Sequence, residues 1–257
     1  MMIRRLILFL VLCPLTLKAQ KAQNEADTIV NSVSPKAYNF KAHYLIVPVA
    51  LIGYGVIGQD NGQFKKINNS IRNEVVEDID QKITIDDFIQ YAPAASVFAL
   101  SLSGVKGEHD LKDCTIIMAT SYLFMSSTVL SLKSVTHVQR PDGSSYNSFP
   151  SGHTATAFAG AEFLWQEYKD KSIWYGISGY IVATGTGMFR MYNNRHWLTD
   201  VAAGAGIGIL STKFAYWVYP FLKEKLFKGN KREKKVTAMA MPFYNGEQLG
   251  AAMTIRF

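Results

Sequence analysis

The sequence predicts an all-α fold, a six-helix up-and-down transmembrane bundle, followed by a short C-terminal β-hairpin. The chain is 48% hydrophobic and only 18% charged. Its apolar residues fall into six segments that lack the strict alternation of β-strands, which favours helices. The C-terminus follows a different pattern. There Asn245-Gly246 separates two short runs, and this dipeptide is typical of a two-residue hairpin turn.

The apolar segments differ in how well they suit a bilayer, whose core takes about 20 helical residues and tolerates about 17. In chain order they are 44–58, 88–105, 114–132, 155–165, 173–189 and 201–222. The first is short for a span, the second is borderline, and the third and fifth carry no charged residue. In the last, Gly204 and Gly208 stand four apart with Gly206 between them. This spacing lets helix backbones approach closely in lipid.

The remaining parts of the chain complete the predicted organisation. Arg4 and Arg5 precede an apolar run, the pattern of an export signal. The predicted units are a signal segment 1–20, a polar stretch 21–43, a helical domain 44–222, a basic tail 223–235 and a hairpin 236–257. The two cysteines, Cys13 and Cys114, provide no disulfide framework.

Basic residues indicate the orientation of the bundle. The chain carries a net charge of +7, with a cluster in the tail after the sixth segment. Two other connections on the same side of an up-and-down bundle hold Lys106, Lys112, Lys169 and Lys171. Positive residues mark the cytoplasmic side, so the opposite end is predicted to face the periplasm from the inner membrane of a bacterial cell envelope. Nucleic-acid binding is not expected, because no recognition motif accompanies the basic run.

The first segment and the signal make conflicting demands on this topology. A cleaved signal would leave residue 43 outside the membrane, and segment 44–58 would then be re-entrant or lie in the interface. If that segment crosses, the N-terminus is cytoplasmic and the signal interpretation is wrong.

Three polar clusters interrupt the apolar chain, each at the end of a segment. They comprise Lys133, Arg140, Ser151, Gly152, His153, Arg190, His196 and Asp200. In an antiparallel bundle the third segment's end, the fourth segment's start, the fifth segment's end and the sixth segment's start all lie on one side. Segment order alone therefore predicts that the three clusters converge at the outward end.

The cationic residues of these clusters suit a phosphate ligand. Lys133, Arg140 and Arg190 have no acid nearby in sequence and would repel one another without an anion. Arginine binds phosphate through two parallel hydrogen bonds. Ser151 and Gly152 open a helical segment, where free backbone N–H groups and the positive dipole end also favour an anion.

The two histidines and the aspartate suit phosphoryl transfer. His196 and Asp200 are four residues apart, so on a helix they would share one face. A carboxylate that accepts a proton from one imidazole nitrogen leaves the other nitrogen as a nucleophile. His153 is then available to protonate the leaving oxygen and to activate water. Positioning and charge stabilisation supply most of what this reaction needs.

These motifs resemble the three-part signature of the type 2 phosphatidic acid phosphatase (PAP2) superfamily. The matching parts are Lys133-x6-Arg140-Pro141, Pro150-Ser151-Gly152-His153 and Arg190-x5-His196-x3-Asp200, within residues 114–222. The resemblance implies a six-helix fold, no metal or cofactor, and a phosphohistidine intermediate. It implies that His196 is the nucleophile, Asp200 its partner and His153 the general acid, and it assigns phosphate binding to Lys133, Arg140, Ser151, Gly152 and Arg190. Phe189 departs from the pattern, which usually has serine there.

The predicted function is hydrolysis of a lipid phosphate or diphosphate, with membrane lipids as surroundings. Candidate substrates are undecaprenyl diphosphate, phosphatidylglycerol phosphate, phosphatidic acid and lipid A phosphates. A periplasmic acid phosphatase acting on soluble esters is the main alternative. A vanadate-dependent haloperoxidase, which resembles the family at the same anion site, and a non-catalytic binding or assembly protein remain open.

Other polar residues receive simpler interpretations. His43 and His137 lack the partners that catalysis needs and are expected to be structural. His109 lies in a polar loop and is expected to be exposed. Arg195 is interpreted either as a contact for an anionic substrate or as a solvated loop cation. The acidic residues of 74–87 are predicted to form a solvated helical face and not a metal site.

Overall fold

The computed structural model describes residues 42–76, 84–227, 237–244 and 249–256. Within these ranges the α-helices are α1 (Ile46–Asp60), α2 (Gly62–Val76), α3 (Asp86–Ile89), α4 (Ala92–Leu102), α5 (Leu111–Thr136), α6 (Gly152–Tyr168), α7 (Ile173–Tyr192) and α8 (Leu198–Phe227). The helical prediction is confirmed, because all six apolar segments lie in or across helices. The predicted signal segment, nearly all of the stretch 21–43 and most of the basic tail lie outside the described residues.

Two helices were not predicted, one of 15 residues and one of four. Helix α2 follows α1 after the single residue Asn61, and α3 interrupts the predicted segment 88–105, which is therefore split between α3 and α4. Asn61 Oδ1 accepts hydrogen bonds from the backbone N–H groups of Gln63 and Phe64 at 2.9 and 3.4 Å. Such a contact satisfies donors that have no partner at a helix start. Asn61 therefore allows a new helix to begin where the apolar segment of α1 ends.

Polar caps also fix the starts of the longer helices. Asp110 accepts from the backbone N–H of Asp113 at the start of α5, and Ser151 accepts from that of Thr154 at the start of α6. Helix α5 ends at His137, whose φ of 48° is left-handed, a conformation that commonly terminates helices. Both ends of the connection between α5 and α6 are thereby defined.

Helix α6 forms the centre of the bundle. It packs against α7 on one side and α8 on the other, while α1 and α5 pack against α8. Its alanines Ala155, Ala157, Ala159 and Ala161 are completely buried. Small side chains on all faces allow neighbouring helices to approach the α6 backbone closely, which explains how a helix of modest length contacts so many others.

The glycines of α8 serve two different neighbours. A Cβ at Gly204 or Gly208 would overlap backbone oxygens of α6, at Ser151 and Ala155 respectively. A Cβ at Gly206 would overlap the carbonyl of Pro48 in α1. The close packing predicted from the glycine spacing is therefore present, and it joins α8 to α6 on one face and to α1 on another.

Three helical stretches within the described residues are long and apolar enough to cross a membrane, namely Ala42–Asp60, Leu111–Thr136 and Leu198–Leu226. The first includes a 3₁₀ turn at Ala42–Leu45 that precedes α1, so this span is longer than the predicted segment 44–58. Apolar helices of this length are characteristic of membrane proteins. Helices α4, α6 and α7 do not meet the same criterion of length and hydropathy. The prediction of membrane helices is therefore supported, whereas six membrane spans stay a prediction.

Helix α1 runs antiparallel to α8. Gly55 of α1 lies against Ala203 near the start of α8, whereas Pro48 and Ile52 lie against Gly206 further along it. The end of α1 therefore lies with the start of α8. Its beginning lies towards the other end of the bundle, where the ammonium of Lys213 is 5.4 Å from the ring of Tyr44.

The connections gather at two opposite ends. At one end, the loops before α6 and before α8 are joined by Trp197 Nε1, which donates to the carbonyl of Gln139 at 2.9 Å. At the other, the loop before α5 is joined to the end of α6, where the N–H of Glu108 donates to the carbonyl of Glu167 at 3.1 Å. The first end carries all three predicted polar clusters.

Strands β1 (Thr237–Tyr244) and β2 (Leu249–Arg256) pair antiparallel, with Tyr244 opposite Leu249 and Thr237 opposite Arg256. The connecting residues 245–248, which contain the predicted Asn245-Gly246 turn, lie outside the described residues.

Candidate active site

The imidazole of His196 and the carboxylate of Asp200 lie together in the interior. Nδ1 of His196 is 3.6 Å from Oδ2 of Asp200, and both side chains are almost fully buried. His196 precedes α8, so the pair spans the helix start and does not lie on a continuous helix as the sequence suggested. The same carboxylate oxygen accepts the backbone N–H of Trp197 at 2.9 Å. Because Nδ1 faces Asp200, Nε2 is the nitrogen left to react.

Two further side chains fix the Asp200 carboxylate. The hydroxyl of Ser148 donates to Oδ2 and lies 3.4 Å from Nδ1 of His196. Nε2 of Gln59, near the end of α1, is 3.3 Å from Oδ1. Sequence analysis missed both residues, because neither belongs to a recognisable motif. The one sequence feature that could have suggested Ser148 is its position, two residues before Pro150 of the second motif.

Helices α1 and α2 also hold the first turn of α8. The hydroxyl of Thr199 accepts from Nε2 of Gln59 at 3.2 Å and from Nδ2 of Asn68 at 3.0 Å. Nε of Arg72 donates to the side chain of Asn194 at 3.0 Å. Residues far from the predicted motifs therefore define where His196 and Asp200 lie.

Arg140, His153 and Arg190 line one cavity of about 310 Å³, together with Arg195. Nε of Arg140 donates to Oδ1 of Asn147 at 2.9 Å. The ammonium of Lys133 donates to the backbone carbonyl of the same Asn147. Asn147 thus connects two predicted phosphate ligands, Lys133 in the last turn of α5 and Arg140 in the loop before α6.

Ser151 and Gly152 begin α6 next to the aspartate. The backbone N–H of Ser151 donates to the carbonyl of Asp200 at 3.0 Å, and its hydroxyl is 2.9 Å from that of Thr154. A Cβ added at Gly152 would meet only Val129, at an ordinary 3.7 Å. The hydroxyl of Ser151 is therefore used as a helix cap, and the first turn of α6 directs its backbone towards the start of α8.

The acidic segment before α4 differs from the prediction. Asp86 is 1% exposed, and its Oδ2 lies 2.6 Å from Nη1 of Arg190. Asp87 Oδ1 lies 2.8 Å from Nε2 of His153. These residues were expected on a solvated face, because their sequence neighbours are charged and polar. The isolated turn of α3 instead brings both carboxylates to the cavity. Asp87 stays exposed there, whereas Asp86 is buried, and Arg190 compensates for the cost of burying it.

Burial and nearby cations control the protonation of the site. Burial lowers the pKa of His196 to about 4, and the positive charges of Lys133 and Arg190 act in the same direction, while Asp200 opposes them. Burial also lowers the pKa of Arg140, as do the neighbouring Arg190 and Arg195. The imidazole of His196 is therefore neutral at neutral pH, the form in which a histidine can act as a nucleophile.

The other polar residues are also accounted for. Arg195 pairs with Asp142 at 3.1 Å at the cavity rim. His109 is only 21% exposed, with Nδ1 at 2.8 Å from Oε1 of buried Glu167, so the prediction of an exposed loop histidine is wrong. The contact could not be predicted, because Glu167 lies 58 residues after His109 in the sequence. Phe189, in the position usually held by serine, contacts the ring of Tyr192 edge-on.

Comparison with known proteins identifies the region that carries this site. Residues 127–224 match the profile of the PAP2 superfamily. This segment, which makes up less than half of the chain, is similar to the PAP2 superfamily. The matched region contains all eight residues predicted for the site, whereas Gln59, Asp86 and Asp87 lie before it.

Individual known proteins match over similar lengths. The chain is 54% identical over 79 residues, or 31% of its length, to the lipid A 1-phosphatase of Porphyromonas gingivalis, of which the match covers 18%. It is 34% identical over 93 residues, or 35% of its length, to the bacitracin transport permease protein BcrC of Bacillus licheniformis, of which 44% is covered. The matches thus span less than half of either relative. The crystal structure of Aquifex aeolicus LpxE shares 22% identity and a TM-score of 0.45 over 58% of this chain and 94% of that one.

Proposed function

We propose that the protein is a membrane phosphatase that hydrolyses a lipid phosphate or diphosphate through a phosphohistidine intermediate on His196. The observation that carries this proposal is the buried His196–Asp200 pair beside the cavity lined by Arg140, His153 and Arg190. Charged donors of this kind stabilise the oxygens of a transferring phosphoryl group.

In the proposed reaction, Nε2 of His196 attacks phosphorus while His153 gives a proton to the leaving oxygen. Asp200 stabilises the charge that develops on the imidazole of His196. The phosphate oxygens are bound by Lys133, Arg140 and Arg190, together with the hydroxyl of Ser151 and the backbone N–H of Gly152. Water then attacks the phosphohistidine, with His153 acting as base, and inorganic phosphate leaves.

A lipid substrate is supported by the surroundings of the site. A groove of about 590 Å³ lies beside the catalytic pair, between α1, α2 and the end of α5. Its apolar lining includes Val56, Leu132 and Phe149, and Lys65 stands at its edge. Two of the flanking helices, α1 and α5, belong to the membrane-spanning candidates. We infer that the lipid portion of the substrate occupies this groove while its phosphate reaches the cations.

The proposed topology places the helical bundle in the inner membrane, with the site facing the periplasm. The lysine-bearing loops before α5 and after α6 support a cytoplasmic location for the opposite end. Because α1 runs from that end to the site, residue 42 would start on the cytoplasmic side.

Phosphate release from a lipid panel tests the proposal. Purified enzyme in detergent would be incubated with undecaprenyl diphosphate, phosphatidylglycerol phosphate, phosphatidic acid and lipid A. Release from at least one of these lipids is expected, together with its loss in His196→Ala. Rapid turnover of a soluble ester with no release from any lipid would contradict a lipid phosphatase.

A soluble-substrate acid phosphatase is the second candidate. It is motivated by the modest mean hydropathy of the chain, +0.04. Carbonate extraction of membranes separates the two candidates. The lipid phosphatase is expected to stay in the pellet until detergent is added, whereas release by carbonate would favour the soluble-substrate enzyme.

A further inference from the structure

The turn of helix α3 brings two adjacent carboxylates to two different groups of the site. Asp86 accepts from Nη1 of Arg190 at 2.6 Å and from Nδ2 of Asn193 at 3.2 Å. Asp87, which is 49% exposed, contacts Nε2 of His153 at 2.8 Å and lies 3.6 Å from Nη1 of Arg190. One carboxylate is therefore buried on the phosphate-binding arginine, and the other is held on the histidine proposed to transfer protons.

We propose that Asp87 is a positioning residue that acts through His153: its carboxylate holds the Nε2–H of the imidazole and presents Nδ1 to the leaving oxygen. This inference rests on the proposed phosphatase function. Asp86 supports the arrangement, because its ion pair with Arg190 fixes α3 against the site. The nucleophile and the proton donor would then each have a carboxylate partner, Asp200 for His196 and Asp87 for His153.

The proton balance of the reaction is simple in this arrangement. In the first step the bond between phosphorus and the leaving oxygen breaks, and the proton on Nδ1 of His153 moves to that oxygen. The neutral imidazole keeps its Nε2–H on Asp87. In the second step water attacks phosphorus, the bond to His196 breaks, and Nδ1 of His153 takes the proton from water. His153 is thereby returned to its protonated form.

Electrostatics explains why this histidine needs a carboxylate. Burial lowers the pKa of His153, and the charge of Arg190 lowers it further, whereas Asp87 and Asp86 raise it. The other charged groups that line the cavity, Arg140 and Arg195, are also positive. Without Asp87, His153 would lose its proton at lower pH and would be a poorer acid at neutral pH.

Two other roles for the same residues make different predictions. Asp86, Asp87 and His153 place possible ligand atoms within 4.8 Å of one another, so they could hold a cation. However, Arg190 already contacts Asp86, and a metal on His153 would leave it without the proton that it donates. Alternatively, the carboxylates could obstruct phosphate binding. In that case their removal would increase activity.

Asp87→Asn tests the proposal through the leaving group. We would compare kcat/KM for an alkyl phosphate, whose alkoxide leaves poorly, with that for an aryl phosphate that has an acidic phenol. General acid catalysis contributes about 10²–10⁴-fold, so a loss of about 10–100-fold is expected for the alkyl ester and about 3-fold or less for the aryl ester. The alkaline limb of the pH profile should move to lower pH, and Asp87→Glu should restore most of the activity.

The His153→Ala background and a matched control make the test specific. In that background Asp87→Asn should change the rate little further, because the two residues act together. Asp170→Asn removes the same charge from an exposed position at the opposite end and should leave both esters unaffected. Asp87→Glu keeps the measurement possible if Asp87→Asn does not fold.

Several outcomes would overturn the inference. An equal loss with both esters and an unchanged pH profile would indicate a merely structural role. Increased activity in Asp87→Asn would indicate obstruction, and loss of wild-type activity in EDTA with recovery in Mg²⁺ would indicate a metal site. If the wild type releases no phosphate from any ester or lipid, the proposed function itself fails. An active wild type with an unaffected Asp87→Asn refutes only the positioning role.

Discussion

At the scale of single residues, the site pairs each histidine with a carboxylate and surrounds both with cations. Asp200 faces Nδ1 of His196, and Asp87 faces Nε2 of His153. Because opposite ring nitrogens are engaged, the two imidazoles present different nitrogens to the substrate. The arrangement suits a nucleophile and an acid that act on opposite sides of one phosphorus atom.

His196→Ala is expected to abolish phosphate release, with a loss of about 10⁴-fold or more, since no other group forms the covalent intermediate. Gel filtration and thermal unfolding in detergent should show that the variant remains folded. Val49→Ala, an exposed change on α1, provides the control. Turnover at the wild-type rate in His196→Ala would exclude the phosphohistidine mechanism.

The acid limit of activity should reflect the low pKa of His196. The neutral imidazole is the reactive form, and burial lowers its pKa from 6.5 to about 4. As pH falls, the nucleophile therefore stays available below pH 6.5 and is protonated only near pH 4. The acid limb of kcat/KM, corrected for the measured ionisation of the substrate, is expected near pH 4. A limb at about 6.5, the ordinary histidine value, would disagree.

The site residues that could be predicted from the sequence are those with charged or imidazole side chains, which are rare in an apolar chain. Charged and imidazole side chains at helix ends were predicted as a group, and the structure brings Arg140, His153 and Arg190 to one cavity. Gln59, Ser148 and Asp87 could not be predicted, because a single amide, hydroxyl or carboxylate has many ordinary uses. Only the packing of α1 and α3 against the site gives these residues their contacts.

At the scale of elements, close contacts between helix backbones hold the site together. Gly204 lies against the carbonyl of Ser151, so the start of α6 and the first turns of α8 cannot separate without losing this contact. The sequence predicted the packing from glycine spacing. Helix α3 could not be predicted from the sequence, because four residues are too few to show a helical periodicity. The apolar segment that begins at residue 88 also continues beyond the end of α3.

Gly204→Ala should disturb the site through packing. The added methyl would overlap the carbonyl of Ser151, and overpacking of this kind costs about 1–3 kcal/mol. A lower unfolding temperature and reduced kcat are expected. Gly185→Ala in α7 is the matched control, since a Cβ there meets nothing within 4 Å among the described residues. Equal stability of the two variants would show that the contact between α6 and α8 is loose.

Val56→Trp should separate lipid from soluble substrates. Val56 lines the groove beside the site, and an indole would fill part of the space proposed for the lipid chain. We expect KM for the lipid to rise roughly 10-fold, as one unfavourable pocket contact commonly does, with little change for a soluble ester. Val49→Trp, on the same helix away from the groove, should leave both values unchanged. An identical effect on both substrates would place the lipid elsewhere.

At the scale of the whole molecule, the two ends of the bundle differ in chemistry. One end gathers the cations of the proposed active site, and the other gathers buried contacts such as His109 with Glu167. The sequence predicted this division from the order of the segments. It could not decide whether 44–58 crosses, because the 3₁₀ turn that lengthens this span has no clear sequence signal.

Labelling of single cysteines tests the proposed orientation. Ser144 lies in an exposed loop at the site end, and Asp170 is exposed at the opposite end. In spheroplasts, a membrane-impermeant maleimide should label Ser144→Cys directly and Asp170→Cys only after permeabilisation. Cys13→Ser and Cys114→Ser in the background remove the native thiols. The reverse pattern of labelling would place the site in the cytoplasm.

The contacts of Gln59 and Asn68 with the first turn of α8 have a consequence for dissecting this protein. These residues, together with Asp86 and Asp87, precede the segment that matches the superfamily. A fragment trimmed to residues 127–224 would keep every motif residue but lose the supports that orient them. The segment that carries the sequence motifs is thus shorter than the smallest fragment that we would expect to be active. Fragments for expression should therefore begin before α1.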